Sequence, residues 1–257
     1  MTLIQIWIAY KALVRKEIVR CLRIWSQTLL PPAITMALYF LIFGQLIGSQ
    51  LRPMQGFTYM QYIVPGLVMM SVITNGYMNA VSSFFGAKFQ RSIEELLVSP
   101  TPNLIILLGY VSGTMVRVFM TAAIVMGISL FFTHLSIQHV GLMIFVIFIT
   151  TLFFGTAGII NAIFARTFDD ISWVSTFLLT PLTYLGGVFF SINMLSGFWQ
   201  KVAYLDPILY IVDLFRYSLL GVQDTNIFLA LTIFCAMTVI VFACALYLLG
   251  HSHRLRS

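Results

Sequence analysis

The sequence predicts an all-α integral membrane protein with six transmembrane helices. An amphipathic N-terminal helix, a two-faced cytoplasmic helix and a helical external segment between spans five and six complete it. Of the 257 residues, 60% are hydrophobic and only 9% are Asp, Glu, Lys or Arg, against about 25% in soluble domains. So few charges cannot cover a soluble surface, and disorder needs the opposite composition. The chain also runs apolar for long stretches, where a membrane barrel would alternate.

Gaps between charges locate the spans, since a crossing helix takes about 20 apolar residues. Residues 24–51 and 53–87 carry no Asp, Glu, Lys or Arg and hold one span each. Residues 118–165 are too long for one crossing and break at the polar turn Thr133–His139, which includes Ser136. Residues 171–200 and 225–253 hold one each. The expected spans are therefore 27–48, 58–81, 104–132, 140–164, 171–190 and 226–249.

Net charge is +6, and its placement indicates orientation more than nucleic-acid binding. With cytoplasmic termini, Lys11, Arg15, Lys16, Arg20, Arg23, Lys88, Arg91, Arg166, Arg254 and Arg256 lie inside. Arg52, Lys201 and Arg216 lie outside, and Arg117 falls within span three. Both termini are expected in the cytoplasm. The first charge, Lys11, follows an apolar start, so no cleavable signal peptide is expected. No internal repeat is evident, and residues 1–257 read as one domain. Cys21, Cys235 and Cys244 lack CxxC spacing and read as packing residues.

Residues 3–25 form the amphipathic helix. Trp7, Tyr10, Val14, Ile18, Cys21 and Trp25 share one face, with Lys16, Arg20 and Arg23 on the far side. This suits a helix in the headgroup layer, as a plain anchor or as a lever onto a cytosolic component. Pro31-Pro32 falls in the first turn of span one, where missing N–H groups are tolerated.

After span two, Phe85, Phe89, Ile93 and Leu96 or Leu97 form an apolar stripe over residues 85–98. Lys88, Arg91 and Glu95 form a charged one, Glu94 adjoins it, and Ser99-Pro100-Thr101-Pro102 stops the helix. Such a helix either docks into a partner's groove or covers the span ends. Segment 191–224 is too charged for a span and too apolar for a free loop. It holds Trp199, Tyr204, Tyr210 and Tyr217 among Lys201, Asp206, Asp213, Arg216 and Asp224. Short helices dipping into the outer leaflet satisfy both facts, as a lid or as an aromatic belt. Asp213 and Arg216 are three apart and are expected to pair.

Polar residues inside a bilayer must face protein or water. Span two carries Ser71, Asn75, Asn79 and Ser82 at helical spacing, with Thr74 beside them. Span five carries Ser172, Thr176, Thr180, Thr183 and Gly187 on one face, with Tyr184 adjacent and a kink expected at Pro181. Interhelical hydrogen bonding and a substrate-lining wall are both open readings, and they are compatible if the stripes meet between subunits.

No phosphate loop, HExxH or GxSxG occurs. No metal, cofactor or catalytic residue is expected in this chain, so uphill transport would draw its energy from a partner.

Two stretches carry a resemblance. They are Glu94-Glu95-Leu96-Leu97-Val98-Ser99-Pro100, and Thr180-Pro181-Leu182-Thr183-Tyr184-Leu185-Gly186-Gly187-Val188-Phe189-Phe190 followed by Asp206-Pro207 and Arg216. In this order the chain resembles the ABC-2 family of exporter permeases. The resemblance implies a multi-pass subunit of the bacterial cytoplasmic (inner) membrane, working with a second copy of itself and two copies of a separate ATP-binding subunit that carries Mg-ATP. It implies that residues 85–98 are a coupling helix, with Phe85, Lys88, Phe89, Arg91, Glu94, Glu95 and Leu97 meeting that subunit. Residues 3–25, with Trp7, Lys16, Arg20, Arg23 and Trp25, would be the interface helix. Ser71, Thr74, Asn75, Asn79, Thr176, Thr180, Thr183 and Tyr184 would line the path between protomers. Residues 191–224, with Trp199, Asp206, Pro207, Asp213 and Arg216, would be a re-entrant cap. The sequence departs from the family pattern with Arg91-Ser92 before the coupling glutamates, with Asp206-Pro207, and with Leu195-Ser196-Gly197-Phe198-Trp199. Lipids, amphiphilic drugs or glycans fit the uncharged stripes. The rival expectation is a stand-alone secondary carrier or channel.

Overall fold

The computed structural model describes residues 2–50, 53–135 and 137–251. Arg52, Arg254 and Arg256 of the charge distribution, and Ser136 of the polar turn, lie outside the described residues. Helix is the only extended secondary structure among the described residues.

Helix α1 (Leu3–Arg23) starts at a capping box in which Thr2 and Gln5 satisfy each other's backbone N–H groups. Helix α2 (Trp25–Tyr39) follows directly and continues as a π-helix over Phe40–Ile47. The bend between α1 and α2 falls at Ile24, so Pro31 and Pro32 lie inside α2 rather than in its first turn. Pro32 has no N–H for the carbonyl of Thr28. Arg117 Nη2 approaches that carbonyl at 3.4 Å instead. A tight turn, with Gln55 and Gly56 at positive φ, pairs Met54 with Phe57.

Helix α3 (Tyr59–Phe89) is 31 residues long, about 46 Å at 1.5 Å per residue. It runs eight residues beyond the expected end of span two and forms the axis of the core, packed by α5 (Asn103–Ser129), α6 (Val140–Phe164) and α10 (Pro207–Leu220). Glycines set the close approaches: a Cβ at Gly158 of α6 would lie 2.7 Å from the Tyr77 carbonyl, and one at Gly66 2.4 Å from that of Val188.

Among the described residues, four helices are long and apolar enough to cross a membrane: Trp25–Gly44, α5, α6 and α11 (Ile227–His251). The other two expected spans look different. α3 has the length but carries the polar stripe. Span five is made of pieces, α7 (Phe168–Val174), a π-helical turn over Ser175–Leu179, and α8 (Thr180–Leu185). The expected Pro181 kink takes the form of that π turn, in which Thr180 N–H reaches back five residues to Ser175. Gly187, at φ +74°, ends this span before residue 190. Helix α4 (Ser92–Val98) lies between α3 and α5, and α9 (Gly197–Ala203) precedes α10.

Candidate functional site

Three regions gather the sequence-predicted residues. At the turn after α3, the single helix expected over residues 85–98 is interrupted. α3 ends at Phe89, Arg91 takes a left-handed conformation (φ +59°), and α4 begins at Ser92. The Ser92 hydroxyl donates to the Ala87 carbonyl at 3.2 Å, which stabilises the break.

The split separates the expected docking residues. Phe85 is buried and meets Phe168 edge-on at 4.9 Å. Lys88 Nζ donates to the carbonyls of Ile163 and Ala165, both at 2.8 Å, and so caps the end of α6. Arg91, Glu95 and Val98 stay exposed with Phe89, which is 67% exposed. Glu94 and Leu97 are half-buried, and Ile93 anchors α4 in the core. Glu94 and Glu95 occupy the first turn of α4, where its positive end favours them. A cleft of about 320 Å³ separates α4 from α1, lined by Ala12, Lys16, Glu95, Leu96 and Thr101.

Helix α1 packs against α5 through a spacing the sequence reading missed, Gly109-x-x-x-Gly113. A Cβ at Gly113 would fall 2.2 Å from Glu17 Cβ, and one at Gly109 2.8 Å from Leu13 Cβ. The buried face therefore follows Leu13, Glu17 and Cys21, while Trp7 and Trp25 are exposed rather than on that face.

Glu17 is only 3% exposed and is the start of a polar network. Its Oε2 accepts from Arg20 Nη2 at 2.9 Å and from Ser83 Oγ at 2.6 Å. Arg20 Nη2 and Arg117 Nη1 both donate to Asn79 Oδ1, at 3.1 and 3.0 Å. Asn79 Nδ2 donates to Thr114 Oγ1 at 2.9 Å, and Asn75 Oδ1 lies 3.4 Å from Arg117 Nη2. Arg20 thus leaves the far side of α1 and turns into the bundle, whereas Lys16 and Arg23 remain exposed.

The two polar stripes have different surroundings. Ser71 and Asn79 are closed in, and Thr74 and Asn75 are half-buried. In span five, Thr176, Thr180 and Tyr184 are exposed, but Thr183 is buried and bonds back to Leu179. Among the described residues no hydrogen bond joins the stripes.

Segment 191–224 is held by a second buried cluster. The expected Asp213–Arg216 pair does not form, because each side chain has a better-placed partner off the helix. Arg216, 1% exposed, donates Nη2 to the Gly187 carbonyl at 2.6 Å, lies over the Tyr62 ring at 4.1 Å and faces Asp224 at 3.9 Å. Asp213 accepts the backbone N–H groups of Asp224 and Thr225 at 2.8 and 2.7 Å. Asp224 also accepts from Gln55 (2.7 Å), Ser191 (2.8 Å) and Tyr62 (3.2 Å). Asp206 caps α10 by accepting Ile208 N–H at 2.9 Å, with Pro207 in the first turn. Burial raises its carboxyl to about 7, against the Ile208 hydrogen bond that favours ionisation. Trp199 is exposed on α9.

At the opposite end, Asp170 accepts the N–H groups of Arg166 and Thr167 at the start of α7, and these bonds lower its carboxyl below the usual value. Among the described residues no His, Cys, Asp and Glu group could hold a metal.

Known proteins match this sequence along most of the chain. Residues 8–220 match the family model described as ABC-2 type transporter. The inner membrane transport permease YadH of Escherichia coli (strain K12) is 52% identical over 243 residues, which cover 95% of this chain and 93% of that protein. Nodulation protein J of Rhizobium leguminosarum bv. viciae is 24% identical over 209 residues, 80% of each chain. With a family match across residues 8–220 and such identity to a permease, the protein belongs to the ABC-2 type transporter family.

Proposed function

We propose that the chain is the transmembrane permease subunit of an ATP-driven ABC exporter, set multi-pass in the bacterial inner membrane with both termini in the cytoplasm. In this reading it crosses six times, by α2 with its π-helical extension, α3, α5, α6, α7–α8 and α11. Residues 191–224 form a re-entrant cap. Mg-ATP is bound and hydrolysed by two copies of a separate subunit, and this chain supplies no catalytic residue.

The observation that carries the reading is the short helix α4. It is anchored by Ile93 to the core and presents Phe89, Arg91, Glu95 and Val98 outward beside the cleft under α1. A partner closing on α4 would push on α3 through the Arg91 bend. It would also act on α1, which the Glu17–Arg20–Asn79–Arg117 network ties to α3 and α5. Phe85 and Lys88 then support the coupling turn from within instead of meeting the partner.

The exposed side of α7–α8, with Trp173, Thr176, Phe177, Thr180 and Tyr184, is the face we assign to a second copy and to the path between protomers. Half-buried Thr74 and Asn75 remain available to that path, while Ser71 and Asn79 hold helices together. The cargo class that fits is an amphiphile, lipid, drug or glycan.

A pull-down of the tagged chain in mild detergent, followed by an ATPase assay, tests this. A co-eluting ATPase whose turnover loses its link to transport in the Arg91→Glu, Glu95→Arg double variant is expected. A chain that elutes alone, and transport that follows an ion gradient, would establish the carrier or channel instead.

A further inference from the structure

We propose that an anionic phospholipid is a resident ligand of a groove between α5, α6 and α11, at the basic end of the bundle. The groove holds about 380 Å³ and is lined by Leu108, Met115, Phe148, Phe242, Ala243 and Leu246, among others. Its two polar liners are already satisfied. Thr238 Oγ1 donates to the Phe234 carbonyl at 2.8 Å, and Ser112 Oγ bonds the Tyr10 hydroxyl at 2.8 Å. A polar occupant would find no partner, and an acyl chain needs none.

The walls are three of the helices long and apolar enough to cross a membrane, so the groove opens toward hydrocarbon. From Val239 to Leu246 it follows α11 for about 11 Å, the run of a fatty-acid segment lying along a helix.

One wall leads directly to a headgroup station. Tyr10, bonded to Ser112, stacks on Trp7 at 5.7 Å, and Lys11 Nζ lies 5.0 Å over the Trp7 ring. Two amphipathic aromatic rings beside a cation make the usual anchor of a bilayer interface. Lys11 is exposed, and Arg15 is exposed one turn further along α1. The nearby carboxylate of Glu17 is spoken for by Arg20 and Ser83. The station therefore offers positive charge without a competing acid, which selects an anionic headgroup over a zwitterionic one.

The test uses the full chain purified in detergent containing phosphatidylglycerol and phosphatidylcholine, washed, with retained phospholipid counted by mass spectrometry. Ala243→Trp fills the groove. Ile240→Trp adds the same bulk to α11 outside it, at a residue already exposed. The parent chain and Ile240→Trp should retain about one phosphatidylglycerol per chain. Ala243→Trp should retain severalfold less, and Lys11→Gln should keep a phospholipid but lose the preference for phosphatidylglycerol. Equal retention by Ala243→Trp and Ile240→Trp would overturn the proposal. So would loss of a second protein copy in place of lipid, or parent retention without headgroup preference.

Discussion

Asn79 of α3 accepts a hydrogen bond from Arg20 of α1 at 3.1 Å, although 59 residues separate them in sequence. The same oxygen takes a second bond from Arg117 of α5 at 3.0 Å, and the amide nitrogen is spent on Thr114. One side chain thus closes three helices around a buried charge cluster. Hydrogen bonds to charged groups contribute about 1.5–3 kcal/mol, whereas interhelical ones in membranes average about 0.6. Arg20 is one-third exposed and has Glu17 as a second partner, so the upper range does not apply to it.

Replacing Asn79 by Leu should therefore lower stability by about 2 kcal/mol, chiefly because Arg117 Nη1 loses its acceptor. Asn79→Asp, which keeps an acceptor for both guanidiniums, should cost less. Thermal unfolding in detergent would read both. A Leu variant that melts with the parent would mean that the guanidiniums reach water without Asn79.

Gly113 should be the most restrictive contact between α1 and α5. An alanine Cβ there would lie 2.2 Å from Glu17 Cβ, so one of the two helices must shift. Overpacking of this kind costs about 1–3 kcal/mol. Thermal unfolding of Gly113→Ala in detergent should read that loss as a lowered melting temperature, and melting with the parent would show that α1 accommodates the methyl group.

The positions of the long apolar helices were legible because charges and apolar runs are one-dimensional signals. The α6 boundaries coincide with the expected 140–164. The interior of span five was less so: a polar stripe identifies which residues share a face but not whether that face meets protein. Thr183 is buried while Thr176 and Thr180 are exposed, so residues of one stripe meet different surroundings. Lys88 shows the same limit at the turn between α3 and α4. Its charge suggested a surface contact, and only the fold brings the end of α6, 75 residues away, under its ammonium. Glu17 was overlooked among basic neighbours on α1, yet a lone acid there was the available signal for a buried pair.

The Arg216 cluster depends on the shape of that side chain as much as on its charge. Its guanidinium lies over the Tyr62 ring at 4.1 Å while donating to Gly187, and the ion pair with Asp224 is long at 3.9 Å. A lysine ammonium cannot stack and donate in this way. Arg216→Lys is expected to lose about 2–3 kcal/mol, close to the loss in Arg216→Ala. Asp224→Asn keeps an acceptor for Gln55 and Ser191, and should cost less than either. The order is read from melting temperatures of the purified variants. Near-parental stability of Arg216→Lys would show that charge alone holds the segment.

Asp206 makes the stability of segment 191–224 depend on pH. Its Oδ1 caps α10, but Oδ2 is buried without a hydrogen-bond partner, and burial raises the carboxyl from 3.8 to about 7. The folded chain therefore binds the Asp206 proton more tightly than the unfolded chain does. Stability contributed by this group is fully present below pH 4 and is lost as pH rises toward 7, because the folded state holds more protons across that window. Asparagine also caps helices well and does not titrate. Asp206→Asn should match the parent near pH 4 and exceed it increasingly up to pH 8, where the parent carries a buried, half-satisfied charge. Parallel melting curves for the two proteins across that range would show that Asp206 is ionised in the fold and that solvent reaches Oδ2.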